Sequence, residues 1–282
     1  MAGTVSIGVI APHGDLAIAE ACDEATRSLA VQTQQAMDEM ARRVAAATPD
    51  AVVVATPHNV HVAGHLAVLT SSELVGRLEE TADPLPISCG VDRDLALAVH
   101  DTLNTGGIPT VAISFGGNDP AEAAAPLDWG AHIPLWHILR RAPELPAVVV
   151  APAREFDAAT HVGAGAAIVR AAAGAGRRIA FVASADQGHG HSEDGRYGFH
   201  PESADFDARV VDIVRRNALS ELAEMNVEDV RAALADSWWQ MLMLHGALVE
   251  DGGRFGADLL AYEAPTYYGM LTAVFGRDTE GP

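Results

Sequence analysis

Short runs of Val, Ile and Ala alternate with longer helical patterns along most of this chain, and this alternation constrains the fold more than any other feature. The apolar runs lie at residues 5–10, 51–55, 110–114, 147–150 and 179–183. The helical patterns between them lie at residues 17–47, 93–105, 131–140 and 160–175. Such runs are typical of strands that are buried on both faces. We therefore predict an α/β fold with a mostly parallel central sheet and helices on both faces.

The pattern changes after Phe206. Segments 207–222, 227–235 and 237–248 look helical, and segment 257–275 is mixed. No linker rich in Gly, Pro or Ser separates this region from the rest of the chain, and 282 residues with 49% hydrophobic side chains can form a large core. We expect residues 1–282 to form a single catalytic domain with a helical C-terminal portion.

Charge and cysteine content exclude several classes of protein. A formal net charge of −20 argues against binding to nucleic acid or to anionic membranes, because both require clustered Lys and Arg. Two cysteines, Cys22 and Cys89, are too few for a disulfide scaffold or a Cys-rich zinc site. We find no signal-peptide pattern and no apolar stretch of membrane-spanning length. The expectation is a soluble cytoplasmic protein with neither nucleic-acid nor membrane partners.

Two histidines follow apolar runs in the same way. His13 ends the segment Val-Ile-Ala-Pro-His, and His58 ends Val-Ala-Thr-Pro-His. The carboxyl ends of neighbouring parallel strands meet at one edge of a sheet, so two imidazoles there can share one metal ion. Each histidine alone could instead be a capping or surface residue. Their matched context favours the metal pair.

A third histidine-bearing loop, Ser-Ala-Asp-Gln-Gly-His-Gly-His, follows the run at 179–183 and contains His189 and His191. The glycines beside His189 allow the backbone to approach a ligand closely. We expect His189 to face the same crevice as the first two histidines, although a flexible solvated loop is the alternative. Elsewhere, His132 precedes an apolar helix and can either donate a hydrogen bond to a bound oxygen species or cap that helix.

Two imidazoles and one carboxylate form the ligand set of non-haem Fe(II) sites. The carboxylate candidates are Asp236, which precedes an apolar helix, and Glu263. Asp236 can equally be a helix N-cap, and Glu263 a surface residue. The chain contains no dinucleotide-binding glycine motif, no P-loop and no Gly-x-Ser-x-Gly motif.

Taken in order, these motifs resemble the class III extradiol ring-cleavage dioxygenases, typified by the protocatechuate 4,5-dioxygenase β-subunit. The resemblance spans nearly the whole chain. Segment 128–135 resembles the family motif Asp-His-Gly-x-x-Val-Pro-Leu, and segment 183–189 resembles a strand end that leads to a catalytic histidine. The pair Phe206-Asp207 and the helix end His-Gly-Ala-Leu at 245–248 also match.

The resemblance implies roles for particular residues. His13 and His58 would ligate Fe(II), and His189 would be the acid–base residue. The position that matches the family's glutamate ligand is Ser237, so the adjacent Asp236 is favoured as third ligand over Glu263.

A second departure from the family pattern lies in segment 128–135. Trp129 replaces the histidine of the family motif, and His132, three residues later, is a candidate to stand in for it as a catalytic residue. We expect Trp129, His191 and Tyr267 to contact the substrate.

The expected function is therefore Fe(II)-dependent extradiol cleavage of a catechol-type ring by O₂. The protein would bind a small aromatic diol and O₂. We expect it to form a homodimer, and the sequence leaves open whether a small partner subunit is also present. Two alternatives remain, since two histidines and a carboxylate also suit zinc. One is a zinc-dependent hydrolase, and the other is a non-catalytic member of the same fold.

Overall fold

The computed structural model describes residues 3–78, 84–116, 119 and 122–278, and within these ranges it contains two β-sheets. The larger sheet has eight strands, which lie in the spatial order β10 (Phe255–Glu263), β11 (Met270–Arg277), β1 (Val5–Ala11), β9 (Ile179–Ser184), β2 (Ala51–Ala55), β8 (Ala147–Ala151), β3 (Leu66–Leu69) and β6 (Thr110–Ile113). The smaller sheet has three strands, in the order β5 (Leu85–Gly90), β4 (Glu73–Leu78) and β7 (Ala124–Pro126).

The larger sheet is mixed, so the prediction of a mostly parallel sheet was wrong. Strands β1, β9, β2 and β8 form a parallel centre, but β3 is antiparallel to β8, and β11 is antiparallel to both β1 and β10. A parallel crossover needs a dozen or more residues. The connections 56–65 and 264–269 are shorter than that, so the chain reverses direction at both places.

Helices cover both faces of the larger sheet. The helices are α1 (Val31–Ala46), α2 (Arg93–Thr105), α3 (Trp129–Leu139), α4 (Ala158–Gly174), α5 (Pro201–Arg215), α6 (Val227–Ala232) and α7 (Trp238–Asp251). One core contains side chains of α2, α4, α5 and α7, and the other contains side chains of α1, α3 and the smaller sheet. Successive residues of β2 alternate between the two cores, with Val53 in the first and Val52 in the second. This explains why the central strands are apolar throughout.

Helices α4 and α7 pack closely where two glycines meet the opposite backbone. A Cβ atom at Gly165 would overlap the carbonyl oxygen of Met243, and one at Gly246 would overlap that of Val162. The contact requires a missing side chain on each helix. It fixes α7, and therefore the loop before it, against the rest of the molecule.

Several segments differ from the sequence-based expectation. The helix expected from residue 17 begins at Val31, and β3 was not predicted. The expected C-terminal helices are present, but the mixed segment that follows them contributes β10 and β11 to the sheet edge. No described helix combines the length and apolarity needed to cross a bilayer.

Candidate metal centre

Three side chains converge at the carboxyl edge of the parallel centre. His13 follows β1, His58 follows β2, and Asp236 lies in the loop between α6 and α7. The Nε2 atoms of the two histidines are 3.0 Å apart, and Asp236 Oδ2 lies 3.0 Å from Nε2 of His58 and 3.4 Å from Nε2 of His13. Their candidate ligand atoms all lie within 4.8 Å of one another. This is the two-histidine, one-carboxylate arrangement of mononuclear non-haem metal sites.

The hydrogen bonds of His13 fix which ring nitrogen faces the cluster. Its Nδ1 atom lies 2.9 Å from the hydroxyl oxygen of Ser184, which itself donates to the carbonyl oxygen of Gly130 at 2.5 Å. Because the Ser184 hydrogen is already used, Nδ1–H of His13 is the donor in that contact. In the neutral imidazole, Nε2 therefore carries the lone pair, as a metal ligand requires.

His58 is held by the start of α3. Its ring lies against the indole of Trp129, with ring centroids 4.5 Å apart. Gly130 allows the start of α3 to lie this close to the His58 loop, since a Cβ atom there would overlap Oγ1 of Thr56. Asp128 caps α3 by accepting from the backbone N–H of Ala131 at 3.1 Å, and it also accepts from Thr56 Oγ1 at 2.9 Å. These contacts tie the helix end to the loop that carries His58.

Asp236 is not the helix N-cap that the sequence also allowed. The N-cap of α7 is Ser237, and Oδ1 of Asp236 is buried without a hydrogen-bond partner among the described residues. Gln240 holds the loop in place, because its side-chain amide donates to the carbonyl oxygens of Asp236 at 2.6 Å and of Ser184 at 2.9 Å. The carboxylate is therefore aimed at the histidines by α7 and by the end of β9.

A second buried carboxylate, Asp186, influences the cluster. Its Oδ1 accepts from the backbone N–H of His13 at 2.9 Å. Burial opposes protonation of His13, but Asp186 and Asp236 outweigh it and raise the pKa of His13 to about 9. Burial likewise opposes the charge of Asp236, yet His13 and His58 hold its pKa well below the usual range. The two buried carboxylates create a negative potential around two nitrogen atoms and one oxygen atom that can act as ligands. This environment and this donor set are suited to binding a divalent cation.

The loop after β9 is fixed by the buried carboxylate of Asp207 in α5. Its Oδ1 accepts from the backbone N–H of Gly188 at 2.7 Å. Its Oδ2 accepts from Tyr262 Oη at 2.7 Å and lies 2.8 Å from Nε2 of His191. Thus His191, expected to contact substrate, lies against Asp207. The matched Phe-Asp pair positions the loop on both sides of His189.

His189 lies in a group of tyrosines. Its ring centroid is 5.8 Å from that of Tyr268, 6.0 Å from that of Tyr267 and 6.2 Å from that of Tyr197. Its Nδ1 atom is buried without a hydrogen-bond partner among the described residues. His189, His58 and Asp236 together line a cavity of about 390 Å³. The structure thus brings the proposed acid–base residue to the same space as the metal cluster.

Two sequence candidates lie elsewhere. Glu263, at the end of β10, accepts from the backbone N–H of Thr33 at 2.7 Å and so caps the first turn of α1. His132 is buried in α3 against Gly76 of β4, and it is not among the described residues that line the cavity. Burial lowers the pKa of His132 to about 4, so the ring is neutral at physiological pH.

Sequence reasoning missed other residues at the site. Arg154 follows β8, the fourth strand of the parallel centre, and it lines the cavity together with Tyr197, Arg231 and Trp239. Arg154 had a detectable signal, because it lies two residues after Pro152, which follows the apolar run of β8, whereas His13 and His58 directly follow their prolines. Tyr197 lies in a loop and Arg231 in a short helix. Neither residue follows a strand, so the pattern of strand ends in the sequence could not point to them.

The fold and the cluster together define an α/β protein with a candidate metal site at a sheet edge. Comparison with known families agrees. The model of the family described as the catalytic LigB subunit of aromatic ring-opening dioxygenase matches residues 9–276. The chain belongs to this family, and the resemblance inferred from the sequence motifs is confirmed.

Two relatives extend the comparison. The chain is 23% identical over 259 residues to Protein CA_C1420 of Clostridium acetobutylicum, in a match that covers 88% of this chain and 53% of the relative. The chain thus spans about half the length of that protein. A crystal structure of the uncharacterized protein JW3007 from Escherichia coli has a similar fold, with a TM-score of 0.61 and 15% identity over 96% of this chain and 99% of the other.

Proposed function

We propose that this protein is a non-haem Fe(II)-dependent extradiol dioxygenase that cleaves the ring of a catechol-type substrate with O₂. The observation that carries the proposal is the convergence of His13, His58 and Asp236 beside a cavity that His189 also lines. A three-residue facial ligand set leaves other coordination positions for substrate and O₂. Membership in a family of ring-opening dioxygenases supports this reading.

When bound, Fe(II) would supply the electron transfer between the diol and O₂ on which ring opening depends. His13, His58 and Asp236 would hold the metal on one side. The buried side of the cluster, formed by Ser184, Gly130 and Asp186, fixes the orientation of His13. A rigid arrangement of this kind would keep the ligand atoms of the three residues directed at one metal ion.

His189 would move the protons. An imidazole can accept a proton from the substrate hydroxyl and return it later in the reaction. The ring of His189 lines the cavity, where a substrate would lie within its reach. The surrounding Tyr197, Tyr267 and Tyr268 would exclude water and pack against the aromatic ring of the substrate. Trp129 would keep the His58 ring in place.

The decisive experiment is to purify the protein without oxygen, add Fe(II), and measure oxygen uptake with a panel of catechols. We expect uptake together with a yellow ring-opened product. His189→Gln should lower the turnover rate by a factor of roughly 100 or more, the usual size of a general acid–base contribution, without changing iron content. His65→Gln, at a half-buried position beside β3, is a matched control.

Two results would count against the proposal. The first is the absence of oxygen uptake with every catechol in a protein that binds Fe(II). The second is ester or amide hydrolysis supported by Zn²⁺ and not by Fe(II), which would favour the zinc-dependent hydrolase. Analytical ultracentrifugation in the same buffers would test the proposed homodimer.

A further inference from the structure

The first turn of α3 contacts the loop that carries His58 on both sides of that histidine. One carboxylate oxygen of Asp128 accepts from the hydroxyl of Thr56 at 2.9 Å, and the other accepts from the side-chain amide of Asn59 at 2.9 Å. Thr56 precedes His58 by two residues, and Asn59 follows it directly. A single carboxylate on the helix therefore holds the two ends of the short segment from which His58 projects.

The same turn also reaches His13, through Ser184 at the end of β9. The carbonyl oxygen of Gly130 accepts from the hydroxyl of Ser184 at 2.5 Å, and that hydroxyl accepts from Nδ1–H of His13 at 2.9 Å. Ser184 and His13 are both buried. Gly130 thus fixes the direction of the Ser184 hydroxyl, and the hydroxyl fixes which nitrogen of His13 is left for a metal.

Ser184 connects this network to the third candidate ligand as well. Its carbonyl oxygen accepts from the side-chain amide of Gln240 at 2.9 Å, and the same amide donates to the carbonyl oxygen of Asp236 at 2.6 Å. Ser184 and Gln240 are fully buried. Hydrogen bonds therefore join all three candidate ligands to one turn of one helix.

Capping of the helix does not account for these contacts. Asp157 caps α4 by accepting from the backbone N–H of Thr160 at 2.8 Å, just as Asp128 caps α3 by accepting from that of Ala131 at 3.1 Å. The hydrogen bonds described for Asp157 stay within its own turn, whereas Asp128 also binds Thr56, 72 residues away in the chain. The long-range bonds of Asp128 therefore serve the loop that they hold.

We propose that Asp128 and Ser184 are positioning residues of the metal centre, and that the first turn of α3 couples its two histidine ligands. Hydrogen-bond partners of this kind set the orientation of a ligating imidazole, and their loss typically lowers metal affinity by a factor of roughly 10–100. The proposal rests on the proposed function for the presence of a metal. It is therefore tested by metal binding, which requires no turnover.

Cobalt binding measures the effect directly. The metal-free protein is titrated with Co²⁺ in competition with a chelator, and the visible absorption of bound Co²⁺ reports the geometry of its ligands. We expect Ser184→Ala and Asp128→Ala each to bind Co²⁺ more weakly by a factor of roughly 10–100, with altered absorption. Asp128→Asn should recover part of the affinity, because the amide still caps α3 and keeps one oxygen for Thr56.

Two control variants separate positioning from a general loss of stability. Asp157→Ala removes the cap of α4, and Ser6→Ala removes a buried hydroxyl that donates to the carbonyl oxygen of Ile179, at the other end of β9. Both should unfold at lower urea concentration and leave the affinity and absorption of Co²⁺ unchanged. Circular dichroism shows whether each variant is folded.

Two further variants complete the set. Thr56→Val removes one of the two contacts between Asp128 and the loop at nearly constant volume, so it should show a smaller loss of affinity and takes the place of Asp128→Ala if that variant does not fold. The double variant of Asp128→Ala and Ser184→Ala should lose less affinity than the product of the single losses, because both residues act through the same turn.

Three outcomes would overturn the proposal. These are unchanged Co²⁺ affinity in folded Ser184→Ala or Asp128→Ala, equal losses in the two control variants, and single losses that multiply in the double variant. No Co²⁺ binding by the unmodified protein would contradict the metal centre itself.

The proposed function fails separately. Weakened Co²⁺ binding in the variants, without oxygen uptake on any catechol by the unmodified protein with Fe(II), contradicts the dioxygenase alone. Oxygen uptake by the unmodified protein, with variants that bind Co²⁺ as tightly as it does, contradicts the positioning roles alone.

Discussion

The Nε2 atoms of His13 and His58 face each other at 3.0 Å although 45 residues separate them in the chain. Nδ1–H of His13 is donated to Ser184, so in the neutral ring its Nε2 carries the lone pair that a metal ligand needs. Asp236 adds a carboxylate oxygen within 3.4 Å of both nitrogens. Two imidazole nitrogens and one carboxylate oxygen this close together form a donor set that a single cation can bind. The relationship between these two histidines is therefore the strongest structural argument for a metal.

Asp236→Ala tests which carboxylate is the third ligand. We expect the variant to lose most of its bound metal, because two imidazoles alone form a weak and incomplete site. Glu263→Ala should keep full metal content and lose about 1 kcal/mol of stability, since it removes a hydrogen bond to the first turn of α1. Elemental analysis after anaerobic loading gives the result. Unchanged metal in Asp236→Ala would remove it from the ligand set.

Asp207→Asn tests how the His189 loop is held. The buried carboxylate accepts from Gly188 and Tyr262 and contacts His191, and an amide cannot accept from all three. We expect the free energy of unfolding to fall by about 1–3 kcal/mol and the turnover rate to fall while metal content is retained.

Tyr262→Phe is the matched control for Asp207→Asn, because it removes one donor and should cost about 1 kcal/mol. Hydrogen exchange of the backbone amides at 188–191 supplies a local readout. Equal exchange in Asp207→Asn and in the unmodified protein would show that the carboxylate does not hold this loop.

Gly165 and Gly163 form a matched pair on α4. A Cβ atom at Gly165 would overlap the backbone of α7, but one at Gly163 would meet only the side chain of Ile108, at 3.7 Å. Gly165→Ala should therefore destabilise the protein by roughly 1–3 kcal/mol and lower metal affinity, because α7 positions Asp236. Gly163→Ala should raise stability by up to about 1 kcal/mol. Urea unfolding measures both, and similar stabilities would contradict the close helix packing.

His132 predicts a pH dependence of stability. Its pKa is about 4 in the folded protein against 6.5 for an exposed histidine, because burial disfavours the charged ring. Between these values the unfolded chain binds the proton and the folded chain does not. Stability is therefore unaffected above pH 6.5 and decreases as the pH falls towards 4, by at most about 3 kcal/mol.

His132→Leu should remove this share of the pH dependence, as measured by urea unfolding at pH 8 and pH 5. His61→Gln, an exposed control, should retain it. The same pH dependence in His132→Leu and in the unmodified protein would show that the buried ring is not responsible.

The pattern of apolar runs and histidines predicted much of the site. His13, His58 and His189 each follow a strand of the parallel centre, and strand ends can be read from the sequence because they depend on local hydrophobicity and on Pro and Gly. The direction of β3 and β11 was not predictable in this way. An apolar run is the same whichever way its strand runs, and direction depends on the length of the connection and on the available neighbours.

The sequence by itself determined the α/β class, the histidines at strand ends and the membership of the family. Only the tertiary structure showed which of Asp236 and Glu263 lies beside the histidines, because docking of α7 against α4 and β9 aims one carboxylate at them and leaves the other to cap α1. It also placed Arg154 and Arg231 in the same cavity as the cluster. Local patterns specify elements, whereas the meeting of side chains that are distant in the chain depends on how those elements pack.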